Sequence, residues 1–316
     1  MFTHVLVPLD GSRLAEAVLP AAASMAKLLS ASVTLVHVIE KNAPREIHGE
    51  AHLKEPDEAE SYLREVAGRA FPADAKINYH VHTAEVENVA GSIAGHIGEL
   101  GADLAVMCTH GREGMRDLFF GNIAQQVIAL GKTPVLLIQP DRDGAAPSFN
   151  CRRMLVPLDG QAEHEVGLIK TKAFAKACGA ALHLLIVVPT METLPGKLAV
   201  GRRMMPGATS EMLDIEVQEA EEYLVKLQGE LARGGFTATF EVLRGDPASL
   251  IVETARGFQA DLIVLGTHAR CGMDAFWSGS VAPRISKQSK IPLLFVPLAK
   301  NKLDKLDKMD KRGQAR

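Results

Sequence analysis

The stretch Leu262–Ser280, LIVLGTHARCGMDAFWSGS, carries the residues best suited to hold an anion. A short apolar run ends at Gly266, a loop of small and polar residues follows, and Gly279–Ser280 opens a segment, SVAPRISKQS, that reads as a helix. Glycines let a ligand come close to the backbone. The first amides of a helix have no intrahelical partner and point at whatever lies ahead of them. Ser280, or Gly279 beside it, suits the cap of that helix. Two aspartates occupy a second chemically loaded place, each directly after an apolar run: Asp10 in VLVPLDGS and Asp159 in MLVPLDGQ. Each can cap the helix that follows, face a ligand, or do both. His110 and His268 each follow a threonine in a loop. A catalytic acid there is conceivable, but no carboxylate stands at a telling spacing, and contact with phosphate or solvent is the favoured reading. There is no GxxxxGK[ST], so no lysine of that motif reaches a β- or γ-phosphate. Gly95-His96-Ile97-Gly98 has part of a nucleotidyl-transferase signature but lacks the final histidine and falls mid-helix, as a chance match would.

The chain of 316 residues is long enough for two ordinary domains. Apolar residues make up 47%, enough for real cores, and the net charge of −3 gives no electrostatic case for nucleic acid as the main partner. The opening MFTHVLVPLDGS reads as a strand and a turn rather than a leader, and no run approaches the length of a membrane span. Cys108, Cys151, Cys178 and Cys271 have no metal-ligand spacing, so thiols in a reducing, cytoplasmic compartment are expected. Cys108 is a thiol switch only if exposed with a lowered pKa; a packed thiol is the favoured reading.

The elements that must position these residues occur twice. HVLVPLDGS from His4 returns as RMLVPLDGQ from Arg153, EAESYLREVAG from Glu58 as EAEEYLVKLQG from Glu219, and GADLAVMCTHGREGMRDLFFGNIA from Gly101 as QADLIVLGTHARCGMDAFWSGSVA from Gln259. The offset grows along the chain through insertion, mostly at 189–213, which holds Arg202-Arg203 and reads as an irregular loop, a lid or a partner surface. Such long copies are domains, not solenoid repeats. Each reads as strands alternating with helices. In the first, strands are expected at Val5–Leu9, Val33–Ile39, Ile77–His82, Leu104–Met107 and Val135–Ile138. Helices are expected at Leu14–Leu29, Glu58–Ala70, Val86–Leu100 and Gly121–Leu130, with Lys41–Asp57 as loop. This predicts an α/β chain of two tandem doubly wound domains, each a five-stranded parallel sheet in the order 3-2-1-4-5 with helices on both faces. The strand order then reverses between strands one and four, bringing Asp10 near Gly111, and Asp159 near Gly266 and Gly279. Domain one is expected at 1–140, a polar linker at 141–150, domain two at 151–299, and a solvated charged tail at 300–316.

Together these residues resemble the universal stress protein family in its tandem two-domain form, over nearly the whole chain. The carriers are the opening strand with Pro and Asp, the loop pattern Gly-x2-Gly-x9-Gly-Ser/Thr of family members that bind ATP, and the strand that follows. Both loops depart from the pattern. The second has Gly266, Gly279 and Ser280 but Ala269 in place of the second glycine. The first has Gly111 and Gly121 but Cys108 in place of the first glycine and Asn122 in place of Ser/Thr. If Ala269 needs a positive φ, its methyl costs on the order of 1 kcal/mol. Cys108 is the larger obstruction, so the second copy is the expected nucleotide site.

The resemblance implies that Asp10, Val38, Asp159 and Val187 flank adenine and ribose. It implies that Gly111, Gly121 and Asn122, or Ala269, Gly279 and Ser280, hold the phosphates by backbone amides, and that Pro157, Leu158, Gly266, His268, Gly272 and Val281 belong to the same nucleotide site. It implies ATP, with or without Mg2+, as ligand of a stress-response or signalling module that is not an efficient enzyme, slow ATP hydrolysis aside. A nucleotide-free protein-interaction module of the same fold, with an unknown protein partner, is the alternative, and a weak hydrolase or small-molecule carrier the third. Family members often associate through their last strands, which here would pair Val135–Ile138 with Leu293–Val296 as an internal pseudo-dimer, with room for a homodimer. Neither nucleic acid nor membrane is an expected partner.

Overall fold

The computed structural model describes residues 2–109, 122–140, 149–160, 165–194, 204–267 and 281–297. The first copy runs β1 (His4–Pro8), α1 (Arg13–Glu16), α2 (Leu19–Leu29), β2 (Ser32–Glu40), β3 (Glu46–Ile47), β4 (Glu50–Ala51), α3 (Pro56–Ala70), β5 (Ile77–Val86), α4 (Val89–Glu99), β6 (Leu104–Cys108), α5 (Asn122–Leu130) and β7 (Val135–Ile138). The second runs β8 (Arg153–Leu158), α6 (Glu165–Cys178), β9 (Ala181–Val188), α7 (Pro206–Arg233), β10 (Ala238–Arg244), α8 (Pro247–Gly257), β11 (Leu262–Thr267), α9 (Val281–Gln288) and β12 (Leu293–Pro297).

The strands of each copy are parallel and stand in the orders β5-β2-β1-β6-β7 and β10-β9-β8-β11-β12, the expected 3-2-1-4-5 twice over. The last strands pair antiparallel, Leu137 opposite Leu293, Leu136 opposite Leu294 and Val135 opposite Phe295, so both sheets merge into one of ten strands. Strands covered on both faces must be apolar throughout, and Val5, Leu6, Val7, Leu104, Ala105 and Val106 are all fully buried. One core layer holds Met25, Leu63, Phe174 and Leu224; the other, across the sheet, holds Ile93, Val127, Ile251 and Ile285.

Each copy fixes its strands with the same polar device. The Asp103 carboxylate accepts from the backbone N–H of Thr3 (2.8 Å) and His4 (3.0 Å), and Asp261 accepts from Arg152 (2.9 Å) and Arg153 (3.1 Å). Asn88 and Asp246 likewise cap the equivalent helices α4 and α8.

Three expectations change. The helix read over Leu14–Leu29 is two helices, because Pro20, without an N–H, enters at the start of α2. The segment 41–57 contains the hairpin β3–β4 and the start of α3 rather than loop alone. Part of the insertion read as irregular, from Pro206, belongs to α7, a helix of 28 residues against 15 in its counterpart α3. Gly111, Gly121, His268, Ala269, Gly272, Gly279 and Ser280, linker residues 141–148 and the tail 300–316 lie outside the described residues. Among the described residues no helix is long and apolar enough to cross a membrane.

Candidate functional site

In the second copy, β8, β9 and β11 end beside one another, and a cleft of about 710 Å³ opens past their carboxyl ends. Six of the expected residues line it together: Pro157, Leu158, Asp159, Val187, Gly266 and Val281. Asp159 follows β8 directly. Gly160 continues in the left-handed region at φ +74°. Gly266 sits in β11 opposite Val296, is exposed, and puts no side chain into the space. Val281 is the first residue of α9, so the amide end of that helix faces the cleft. Val156, Leu185, Ile186 and Val264 supply apolar walls.

Reading the sequence missed the side wall from α6 and α7, formed by Leu168, Thr171, Glu216, Glu219 and Ala220. Its signal was the helical spacing of EAEEYL continued backwards to Glu216. Among the described lining residues the ionisable ones are Asp159, Glu216 and Glu219, with no lysine or arginine. Arg284, near the start of α9, is held away by a two-pronged ion pair with Asp246, both contacts at 2.7 Å. That guanidinium, with the Ser249 hydrogen bonds behind it, holds the Asp246 carboxyl down at about 2.

At the corresponding place in the first copy the described residues pack on one another. Asp10 accepts from the backbone N–H (2.9 Å) and hydroxyl (2.7 Å) of Ser12, and Ser12 in turn caps α1 through the Ala15 N–H at 3.2 Å. The hairpin β3–β4 folds over this turn, with Glu50 accepting from the Arg13 N–H at 2.6 Å. Leu53 packs so closely that a Cβ on Gly11 would stand 3.0 Å from its Cδ1. His37 presents Nδ1 to the Leu9 carbonyl (2.8 Å) and Nε2 to that of Leu53 (3.4 Å). His52 is buried beside it, and burial holds its pKa below the ordinary value. Val38, the equivalent of Val187, is buried rather than lining an open space.

Cys108, the equivalent of Gly266, donates its S–H to the Leu14 carbonyl at 3.0 Å and so ties β6 to α1. Burial pushes this thiol well above its usual pKa, as a packed thiol requires and a reactive one does not. Asn122 begins α5.

The family model described as the Universal stress protein family matches the chain twice, over residues 1–139 and 150–297. A universal stress protein of Methanocaldococcus jannaschii is 32% identical over 151 residues, covering 46% of this chain and 81% of the relative. One of Mycolicibacterium smegmatis is 25% identical over 309 residues, 92% of this chain and 96% of the relative. The crystal structure of a universal stress protein from Archaeoglobus fulgidus matches with a TM-score of 0.65 at 17% identity, covering 94% of this chain and 97% of that one. That likeness bears on the fold.

Proposed function

The chain belongs to the universal stress protein family, and we propose that its second domain binds an adenine nucleotide, ATP, in the cleft past β8, β9 and β11. The observation that carries this reading is the convergence of Asp159, Val187, Gly266 and Val281 on one open cleft of about 710 Å³. The residues present fit such a ligand. Apolar walls suit a base, the Asp159 carboxylate can accept from ribose hydroxyls, and the bare backbone at Gly266 leaves room for close approach. The start of α9 supplies a favourable end for negative charge. With three carboxylates and no cationic side chain among the described lining residues, the phosphates would enter accompanied by Mg2+.

In this reading occupancy, not turnover, is the signal, and the protein acts as a stress-response module. Among the described residues Cys108, Cys151 and Cys178 form no disulfide, which supports a cytoplasmic setting. For the first domain a second reading is favoured by the hairpin, Leu53 and Cys108 packed at the corresponding place: a nucleotide-free module.

Calorimetric titration with MgATP tests both. One site per chain is expected. Gly266→Cys, which writes the first copy's residue into the second, should weaken it by tenfold or more, while Cys108→Ala should leave it unchanged. No heat at millimolar nucleotide, or a site insensitive to Gly266→Cys, would refute the assignment.

A further inference from the structure

The strand β5 carries histidines at two alternate positions, His80 and His82, so both rings lie on one face of the sheet. That face packs on α4, which brings up His96. The His80 and His96 rings are 4.4 Å apart between centroids, the His82 and His96 rings 4.8 Å. His82 Nδ1 lies 3.0 Å from His96 Nε2. One nitrogen from each of the three rings falls within 4.8 Å of the others.

Two further observations bear on this cluster. Among the described residues His80 Nε2 is buried and has no hydrogen-bond partner, an arrangement that folded proteins avoid unless something fills it. His96 Nδ1 meets the Glu99 carboxylate at 3.0 Å across one helical turn. A carboxylate there fixes the N–H on Nδ1 and turns the Nε2 lone pair toward His80 and His82, the orientation that metal-bound histidines are given by an outer carboxylate.

We propose that His80, His82 and His96 form a binding site for a late first-row divalent cation such as Zn2+, with Glu99 as the positioning residue for His96. Imidazole nitrogens select this class over Mg2+ or Ca2+, which take oxygen ligands. Zinc at roughly 2.0–2.1 Å from each nitrogen in a tetrahedron sets the nitrogens about 3.3 Å apart. The His82–His96 pair at 3.0 Å is already near this spacing, and ring rotation brings His80 in. An entry path exists, since His82 and His96 also line a groove of about 670 Å³ beside Glu85, Glu87 and Glu99. The groove's lysine, Lys41, is paired to Glu87 at 2.7 Å, which leaves the groove attractive to a cation. A water from this groove would complete the coordination as the fourth ligand. The second copy has Glu241, Leu243 and Thr254 at the equivalent places, so the site belongs to the first domain alone and is separate from the nucleotide cleft.

The test uses full-length protein, stripped with a chelator and dialysed against micromolar ZnCl2 at about pH 7.5, where free imidazoles are neutral. About one equivalent of zinc per chain is expected by plasma mass spectrometry, and Co2+ in its place should give the strong visible bands of a tetrahedral site. Competition with a chromophoric chelator should show His80→Gln, His82→Gln and His96→Gln each weakened tenfold or more, and Glu99→Gln about tenfold. Circular dichroism checks that each variant folds. Should one not fold, the ring 15N shifts of wild-type protein with and without zinc report coordination directly. Failure to retain zinc, zinc retained equally by His80→Gln and His82→Gln, or ring shifts that do not move would each overturn the proposal.

Discussion

A glycine in left-handed backbone follows the aspartate in both copies, Gly11 at φ +94° and Gly160 at φ +74°. The two differ in their surroundings. A Cβ at Gly11 meets Leu53 Cδ1 at 3.0 Å, whereas at Gly160 the nearest atom among the described residues is Ile186 Cδ1 at 3.8 Å, an ordinary contact. Gly160→Ala should therefore cost about 1 kcal/mol, the strain of a side chain at positive φ. Gly11→Ala should cost about 2–3 kcal/mol, because the hairpin residue above it must also move. Urea midpoints of the two variants check the difference; equal losses would mean that Leu53 does not press on this turn. The doublet Asp-Gly was legible in the sequence as a turn, and its repetition pointed to the strand ends. What the repeat could not reveal was the neighbour: Leu53 and Glu50 come from a segment whose two prolines and mixed polarity carry no strand or helix period. The same holds for the histidines. His80 and His82 share a parity that was visible, but their meeting with His96 depends on α4 packing on β5, a tertiary fact.

The insertions that distinguish the copies act as elements. Between β2 and α3 the chain makes a hairpin that lies over the crevice, while the corresponding chain in the second copy lengthens α7 by about 13 residues, roughly 20 Å of helix. Pro206-Gly207 suggests a loop, yet proline at a helix start has its missing N–H where no partner is needed. Leu213, Ala220, Leu224, Leu227 and Leu231 then supply a buried stripe that holds the helix down. The other wall of the cleft depends on Asp246, which caps α8 through the Ser249 N–H at 3.0 Å and anchors α9 through Arg284. Its folded pKa of about 2 lies below the ordinary 3.8. The stability it contributes is thus complete above about pH 3.8 and is lost as the pH falls toward 2. Because the pair is partly exposed, screening limits this to about 1 kcal/mol. Asp246→Asn keeps a competent cap and removes the charge. It should lower stability by up to about 1 kcal/mol at neutral pH and flatten the pH dependence between about 4 and 2. Urea unfolding at several pH values measures both; an unchanged slope in the variant would mean that the ion pair contributes nothing.

At the scale of the whole molecule the duplication is closed by its own last strands. The antiparallel pairing of β7 with β12 buries Leu136, Leu137, Leu293 and Leu294 completely. Beyond the sheet, the Gln139 side-chain amide donates to the Ser286 carbonyl at 3.3 Å, and Phe2 meets Phe174 edge to face at 5.5 Å. Residues of both copies belong to each of the two core layers. Two domains joined only by a linker ordinarily move and unfold separately. Here the apolar seam gives neither half an independent surface along β7 and β12, so a single calorimetric transition is expected, with calorimetric and van't Hoff enthalpies in agreement. Phe174 is fully buried, and Phe174→Ala should remove about 3–5 kcal/mol. If the core is shared, that loss shifts the whole transition downward, and hydrogen exchange in β1 and β2 accelerates along with exchange in β8 and β9. Two resolved transitions, or faster exchange confined to the second copy, would mean that the ten-stranded sheet joins two independently stable domains rather than one cooperative unit.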